Sequence, residues 1–186
     1  MRDVRLAAAG VLVGAALVAA CAAAIQHPAP GGPPFDSGDL HFVAPTGWEV
    51  RPSTERSVGG SRIILYVANQ PLRADCLETG SAIVCQSPLA DGLRPGGMLV
   101  TWTTQTCVVQ TCDLPAATLI SIGNRQGVRV PMSLACEGTG FSDRSAYYVT
   151  VSPQRVDVLF TCARDPSDAT RSAFLGFLDA IRWRIP

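Results

Sequence analysis

Hydrophobic and polar residues follow three patterns along this chain. An uncharged apolar run occupies residues 6–25. From residue 40 to about 162, apolar residues tend to alternate with polar ones in short runs broken by Gly and Pro, the period of half-buried strands. After Asp165-Pro166 the spacing changes to that of a helix, with Phe174, Phe177, Leu178 and Ile181 at i, i+3, i+4 and i+7.

The alternation predicts a strand over 40–43, in which Leu40 or Phe42 faces inward. Pro45-Thr46-Gly47 then turns the chain into Trp48-Glu49-Val50. A β-branched strand follows over 62–68, ended by Pro71, and a short one over 81–86 carries Cys85. Residues 51–61 read as loop. In 98–103, Met98, Val100 and Trp102 alternate against Leu99, Thr101 and Thr103, which makes Trp102 a core candidate. Residues 104–115 break into Thr, Gln and two cysteines, as a stapled loop would.

The last third of the chain predicts two hairpins and a helix. Residues 118–122 pair with 127–135 across a Gly123–Gln126 turn, and Val128, Val130, Met132, Leu134 and Cys136 share one face. Tyr147, Val149 and Val151 meet Val156, Val158 and Phe160 across a turn at 152–155. If Val151 opposes Val156, then Val149 faces Val158, Tyr147 faces Phe160, and both strands bury the same side. That side also takes Cys162 and Cys136, on strands two places apart. Two strand spacings are about 9.6 Å, so a bond between these cysteines requires the chain ends to bend together. The helix begins with Asp165 as N-cap, Pro166 at its first position and Asp168 in its first turn. Its apolar stripe covers the sheet, and Trp183 and Ile185 close the domain. The expected fold is α+β, an antiparallel sheet covered by a C-terminal helix and stapled by disulfides.

The N-terminal run has secretory grammar: Arg2 and Arg5, then an apolar core, then Leu17-Val18-Ala19-Ala20-Cys21. The last of these resemble the lipobox of bacterial lipoproteins, in which the cysteine is acylated and becomes the mature N-terminus. Two other readings stay open. Ordinary signal peptidase could cut at a later A-x-A site, or the 20 uncharged residues of 6–25 could remain as an anchor, although their Ala and Gly make them only weakly hydrophobic. The organisation expected is a signal peptide over 1–20, a lipidated N-terminus and Pro/Gly-rich linker over 21–38, and one α+β domain over 39–186. The linker, with Pro28, Pro30, Pro33 and Pro34, reaches roughly 50 Å at most and would hold the domain off a membrane. His27 within it is expected to face solvent.

Charge and cysteine content narrow the function classes. Without residues 1–20 the chain has 13 Arg and 14 acidic residues, and it has no Lys. Near neutrality and scattered Arg residues argue against a nucleic-acid partner. Beyond Cys21 there are six cysteines: Cys76, Cys85, Cys107, Cys112, Cys136 and Cys162. An even set in an exported domain reads as three disulfides, and sequence leaves all connectivities open. Neighbour pairing (Cys76 with Cys85, Cys107 with Cys112, Cys136 with Cys162) is the expected choice. The rival is a metal site, but C-x4-C at Cys107 and Cys112 is not a zinc knuckle and no His lies near. No metal or cofactor is expected.

Phe42-Val43-Ala44-Pro45-Thr46-Gly47-Trp48 resembles the F-x-x-P-x-G-W opening of Mog1/PsbP-like domains, a group that includes envelope lipoproteins of actinobacteria. The resemblance implies a binding scaffold and transfers no catalytic residue. Catalytic motifs are missing as well: there is no G-x-S-x-G, H-E-x-x-H or phosphate loop. Val158-Leu159-Phe160-Thr161-Cys162, with Arg164 close by, resembles the T-L-x-T-C strand of sortases, whose thiol attacks a peptide carbonyl. His41 is the imidazole available in the domain, 121 residues upstream, and a disulfide partner for Cys162 would remove the nucleophile. Arg62, Arg94, Arg125 and Arg129 are candidates for binding an anion, and a groove lined by Trp48, Trp102 and Phe177 is a candidate for a lipid. For each, a solvated surface residue or a filled core is the plainer alternative. The expected function is therefore a non-catalytic binding or structural module. It would sit on the extracytoplasmic face of the cell membrane through its lipid anchor, or be secreted without one, and meet an envelope protein or small ligand. The alternatives are a carrier of a hydrophobic ligand and a sortase-like transpeptidase using Cys162.

Overall fold

The computed structural model describes residues 27, 29–53, 60–72, 76–79, 82–85, 92–106, 117–132, 136 and 141–184. The apolar run, Cys21, Cys107 and Cys112 lie outside them. The described chain is mostly antiparallel β-sheet with one C-terminal helix. Among the described residues no helix is long and apolar enough to cross a membrane.

Seven strands form the main sheet: β3 (Glu49–Pro52), β4 (Ser61–Ala68), β7 (Gly97–Thr106), β8 (Thr118–Ile122), β9 (Arg125–Pro131), β10 (Asp143–Ser152) and β11 (Arg155–Arg164). Their order is β3-β4-β7-β11-β10-β9-β8. The long β7, β10 and β11 occupy the middle, where apolar residues on both faces can be buried. A three-stranded sheet, β1 (Pro34–Asp36), β2 (Leu40–Val43) and β12 (Arg182–Trp183), lies on one side with the helix α1 (Asp168–Ala180). The hairpin β5 (Cys76–Thr79) and β6 (Ala82–Cys85) stands apart, with Cys76 directly opposite Cys85 in its register.

The chain organises earlier than the composition of 21–38 suggests. Gly32 N–H donates to the Ala44 carbonyl, Pro34–Asp36 pairs with β2, and Phe35 stacks on Phe42 at 4.9 Å. Backbone pairing and the Phe35–Phe42 stack together hold the end of this Pro-rich segment in the small sheet.

The helix-side core joins Phe42, Trp102, Leu159, Tyr147, Phe174 and Phe177. The helical stripe is as expected: Phe174, Phe177, Leu178 and Ile181 are all buried. The cap differs. Ser167 is the N-cap, its hydroxyl accepting from Thr170 N–H, and the helix starts at Asp168. Asp165 has a left-handed φ of 45° and its N–H donates to Ser142 Oγ, so it belongs to the turn that precedes the helix.

The register of the β10–β11 hairpin also differs from the expected one. Tyr147 opposes Leu159 and Val149 opposes Asp157, while Val156, Val158 and Phe160 oppose Thr150, Tyr148 and Ala146. An irregularity between Thr150 and Ser152 leaves Val151 as an extra residue, which slips the pairing by one and exchanges the faces. Tyr147, Val149 and Val151 thus join the helix-side core, and Val156 and Val158 a separate cluster on the other face. The other hairpin turns more tightly than expected, through Gly123-Asn124 alone, and β9 ends at Pro131. Gly123 has φ 55°, and a Cβ there would come within 1.7 Å of the Ile181 carbonyl oxygen. Only glycine permits this approach, which lets the Asn124 side chain exchange two hydrogen bonds with the Trp183 backbone.

Candidate functional site

Cys136 and Cys162 are joined in a disulfide, their Cα atoms 5.7 Å apart. Because β9 stops at Pro131, Cys136 lies beyond the strand end and over β11, which removes the distance that two intact strand spacings would impose. The bond packs with Tyr66, Leu72, Leu93 and Leu99 on the face away from the helix. Closing the 26-residue separation contributes about 3.5 kcal/mol in the loop-entropy picture.

Among the described residues, the groups a sortase requires do not gather around this sulfur. Cys162 is a half-cystine, and His41 stands on β2, in the small sheet on the opposite face, with its Nδ1 3.4 Å from Asp36 Oδ2. The Gly38 N–H, together with the Arg184 guanidinium and His41, holds the Asp36 carboxyl below its ordinary pKa. Among the described residues no group of three or more His, Cys, Asp or Glu side chains could hold a metal ion.

Trp48, Trp102 and Phe177, the proposed lipid groove, are all buried in one packed cluster. Trp102 is flanked by Phe42 at 5.9 Å and Trp183 at 5.8 Å, so aromatic rings fill the space behind the helix.

A cleft opens instead at the hairpin end of the helix-side face. It has a volume of about 500 Å³ and lies between the β1–β2 turn and the start of β4. Phe35, Leu40 and Ile64 form its apolar wall. Arg62, Asp39 and Arg155 supply charge, and Ser37, Thr104 and Thr106 supply hydroxyls. Arg62 and Thr104 oppose one another across β4 and β7, and Thr104 opposes Asp157 across β7 and β11, which sets these three side chains on one face. An irregularity of β4 between Ile63 and Leu65 turns Ile64 toward that same face, beside Leu65, whereas Ile63 packs on the other.

A part-buried charge network, centred on a fully buried Asp157, forms the inner end of this cleft. Arg155 Nε donates to Asp157 Oδ1 at 2.9 Å and to Thr104 Oγ1 at 3.1 Å, and its Nη1 reaches Asp39. Asp157 is fully buried and also accepts from Trp183 Nε1 at 2.9 Å. Burial disfavours the Arg155 charge, yet its bonds to Asp157 and Asp39 raise its pKa above the ordinary value, so the guanidinium remains a cation. This network escaped the sequence reading. Its signal was Asp157 itself, a carboxylate inside the apolar strand Val156–Phe160, with an arginine two residues earlier on the same face.

The four arginines singled out from sequence have separate fates. Arg129 donates to Ser145 Oγ at 2.9 Å, pairs with Asp143 and lies over the Tyr147 ring. Burial pushes the Tyr147 phenol up from its ordinary pKa. Arg125 is engaged within the fold, and Arg94 stands exposed on a loop held to Gln70. Arg62 alone lines the cleft. Among the described residues it has no carboxylate within ion-pair distance.

No family model matches the chain, and no curated protein matches it. Among solved structures, a protein from Bacteroides thetaiotaomicron VPI-5482 is similar at 12% identity and a TM-score of 0.42, over 82% of this chain and 48% of its own. The chain thus spans about half the length of that protein, and a likeness of this degree assigns neither a family nor a role.

Proposed function

We propose that this chain is an exported cell-envelope protein, anchored by acylation at Cys21, whose domain is a non-catalytic binding module. The observation that carries the reading is the Cys136–Cys162 bond in a chain that opens with a lipobox-like signal. Structural disulfides persist in oxidising compartments, the destination such a signal specifies. The opposition of Cys76 and Cys85 across β5 and β6 is compatible with a second bond of the same kind. The Phe42–Trp48 motif, with its resemblance to Mog1/PsbP-like domains, fits a scaffold that binds and does not catalyse. A sulfur committed to a disulfide cannot attack a carbonyl, which favours binding over the transpeptidase alternative. A chain built this way would be held to the extracytoplasmic face of the membrane, with its domain free to meet an envelope protein or small ligand.

Metabolic labelling with an alkynyl fatty acid tests the anchor. The full chain should take up the label and its Cys21→Ser variant should not. An unlabelled wild-type chain would refute lipid anchoring.

A further inference from the structure

We propose that the cleft between the β1–β2 turn and β4 binds a small amphipathic anion, its acidic head on Arg62 and its apolar chain against Phe35, Leu40 and Ile64. This deepens the binding reading above by naming the ligand class, and it rests on that reading.

The cleft contains two cations of different standing. Arg155 is already paired with the Asp39 and Asp157 carboxylates and with Thr104, so its charge is answered inside the protein. Arg62 is exposed, lines the cleft and has no ion-pair partner among the described residues. A guanidinium offers a planar fork of donors that matches a carboxylate or a phosphate. Thr104, its cross-strand partner, places a hydroxyl on the same face.

The apolar wall is held in place before any ligand arrives. Phe35 is stacked on Phe42, which is fully buried, and the irregularity in β4 commits Ile64 to the cleft side. Leu40 is buried at the base. Such preorganisation lowers the ordering cost of binding. A neutral apolar ligand would leave Arg62 and the hydroxyls unused, and a bare inorganic anion would leave the wall unused. The combination selects a molecule with both parts. A cleft of about 500 Å³ lies within the range of small-molecule sites.

Calorimetric titration of the full chain in detergent-free buffer at neutral pH decides the matter. The probes are octanoate and octyl phosphate, with acetate, inorganic phosphate and octanol as controls, all below their aggregation limits. Saturable binding of at least one octyl anion is expected, with all three controls weaker. The preferred anion distinguishes a fatty-acid source from a phosphate-headed one. Arg62→Ala should weaken that anion roughly 10–100-fold and Arg62→Lys less, while octanol is unaffected. Ile64→Ser should reduce the advantage of the octyl anion over its short counterpart. Octanol binding as tightly as the anions, inorganic phosphate or acetate matching its octyl partner, or no binding by any probe would each overturn the proposal. Loss of the fatty-acid label on Cys21 would refute the anchor and leave this titration unaffected.

Discussion

The helix-side face of the main sheet is built differently in its middle and at its hairpin end, although β4, β7 and β11 run through both. In the middle, Trp102 opposes Leu65 and Leu159, and Phe42, Phe177 and Trp183 close over it. One step along the same strands, Thr104 opposes Arg62 and Asp157. The first row is sealed by the helix and excludes water. The second is closed on the inside by Arg155 and open on the outside. A shift of two residues along a strand separates a packed core from a cleft, because residue type at those positions decides what can cover them.

Substitutions along these two rows sharpen the contrast. Trp102→Ala removes the largest fully buried side chain and should cost about 3–5 kcal/mol in urea unfolding, which would unfold a marginal domain. Asp157→Asn keeps the shape but breaks the charge pairing of a buried site, and about 2–3 kcal/mol is expected. Asp39→Asn, at the solvent side of the same arginine, should cost less than ~1 kcal/mol because that carboxylate is part-exposed and screened. Arg62→Ala should change stability by no more than about 0.5 kcal/mol, since its charge serves no described internal contact. Equal costs for Asp157→Asn and Asp39→Asn would contradict the division between inner closure and open mouth.

A smaller effect is expected in acid, at the β3 edge of the sheet. Burial pushes the Glu49 carboxyl up, but the Leu72 N–H and the Arg51 guanidinium together outweigh it and hold its pKa below the ordinary 4.5. The folded state therefore binds this proton less readily than the unfolded chain. Its contribution is complete above the unfolded pKa and is lost as pH falls through the folded one. Between about pH 5 and pH 3 the wild type should lose more thermal stability than Glu49→Gln. Parallel curves of Tm against pH for the two chains would contradict this.

What the sequence disclosed follows from how local each cause is. The β2 strand, the burial of Trp102 and the helical stripe depend on nearby residue pattern, and all are present as expected. The Cys136–Cys162 bond is also among the pairs anticipated. The hairpin register was hidden because the extra residue Val151, between polar Thr150 and Ser152, continues the alternation of Tyr147 and Val149 and leaves no mark on it. Burial on both faces of β11 removed the polar side that would have shown the slip. Phe35 was obscured by the prolines around it, since its partner Phe42 is brought to it by a turn. The cleft was less legible still. Its residues come from β1, β2, β3, β4, β7 and β11 and the turns between them, and no short motif unites them.

In the proposed reading the chain is an exported, acylated domain with oxidised cysteines. Intact mass of the protein from its native membrane, before and after reduction with alkylation, tests this most directly. The expected result is a chain beginning at Cys21 with the mass of two or three acyl groups, in which the six remaining cysteines become alkylated only after reduction. A mature chain without acyl mass, or one whose Cys162 is alkylated before reduction, would contradict it.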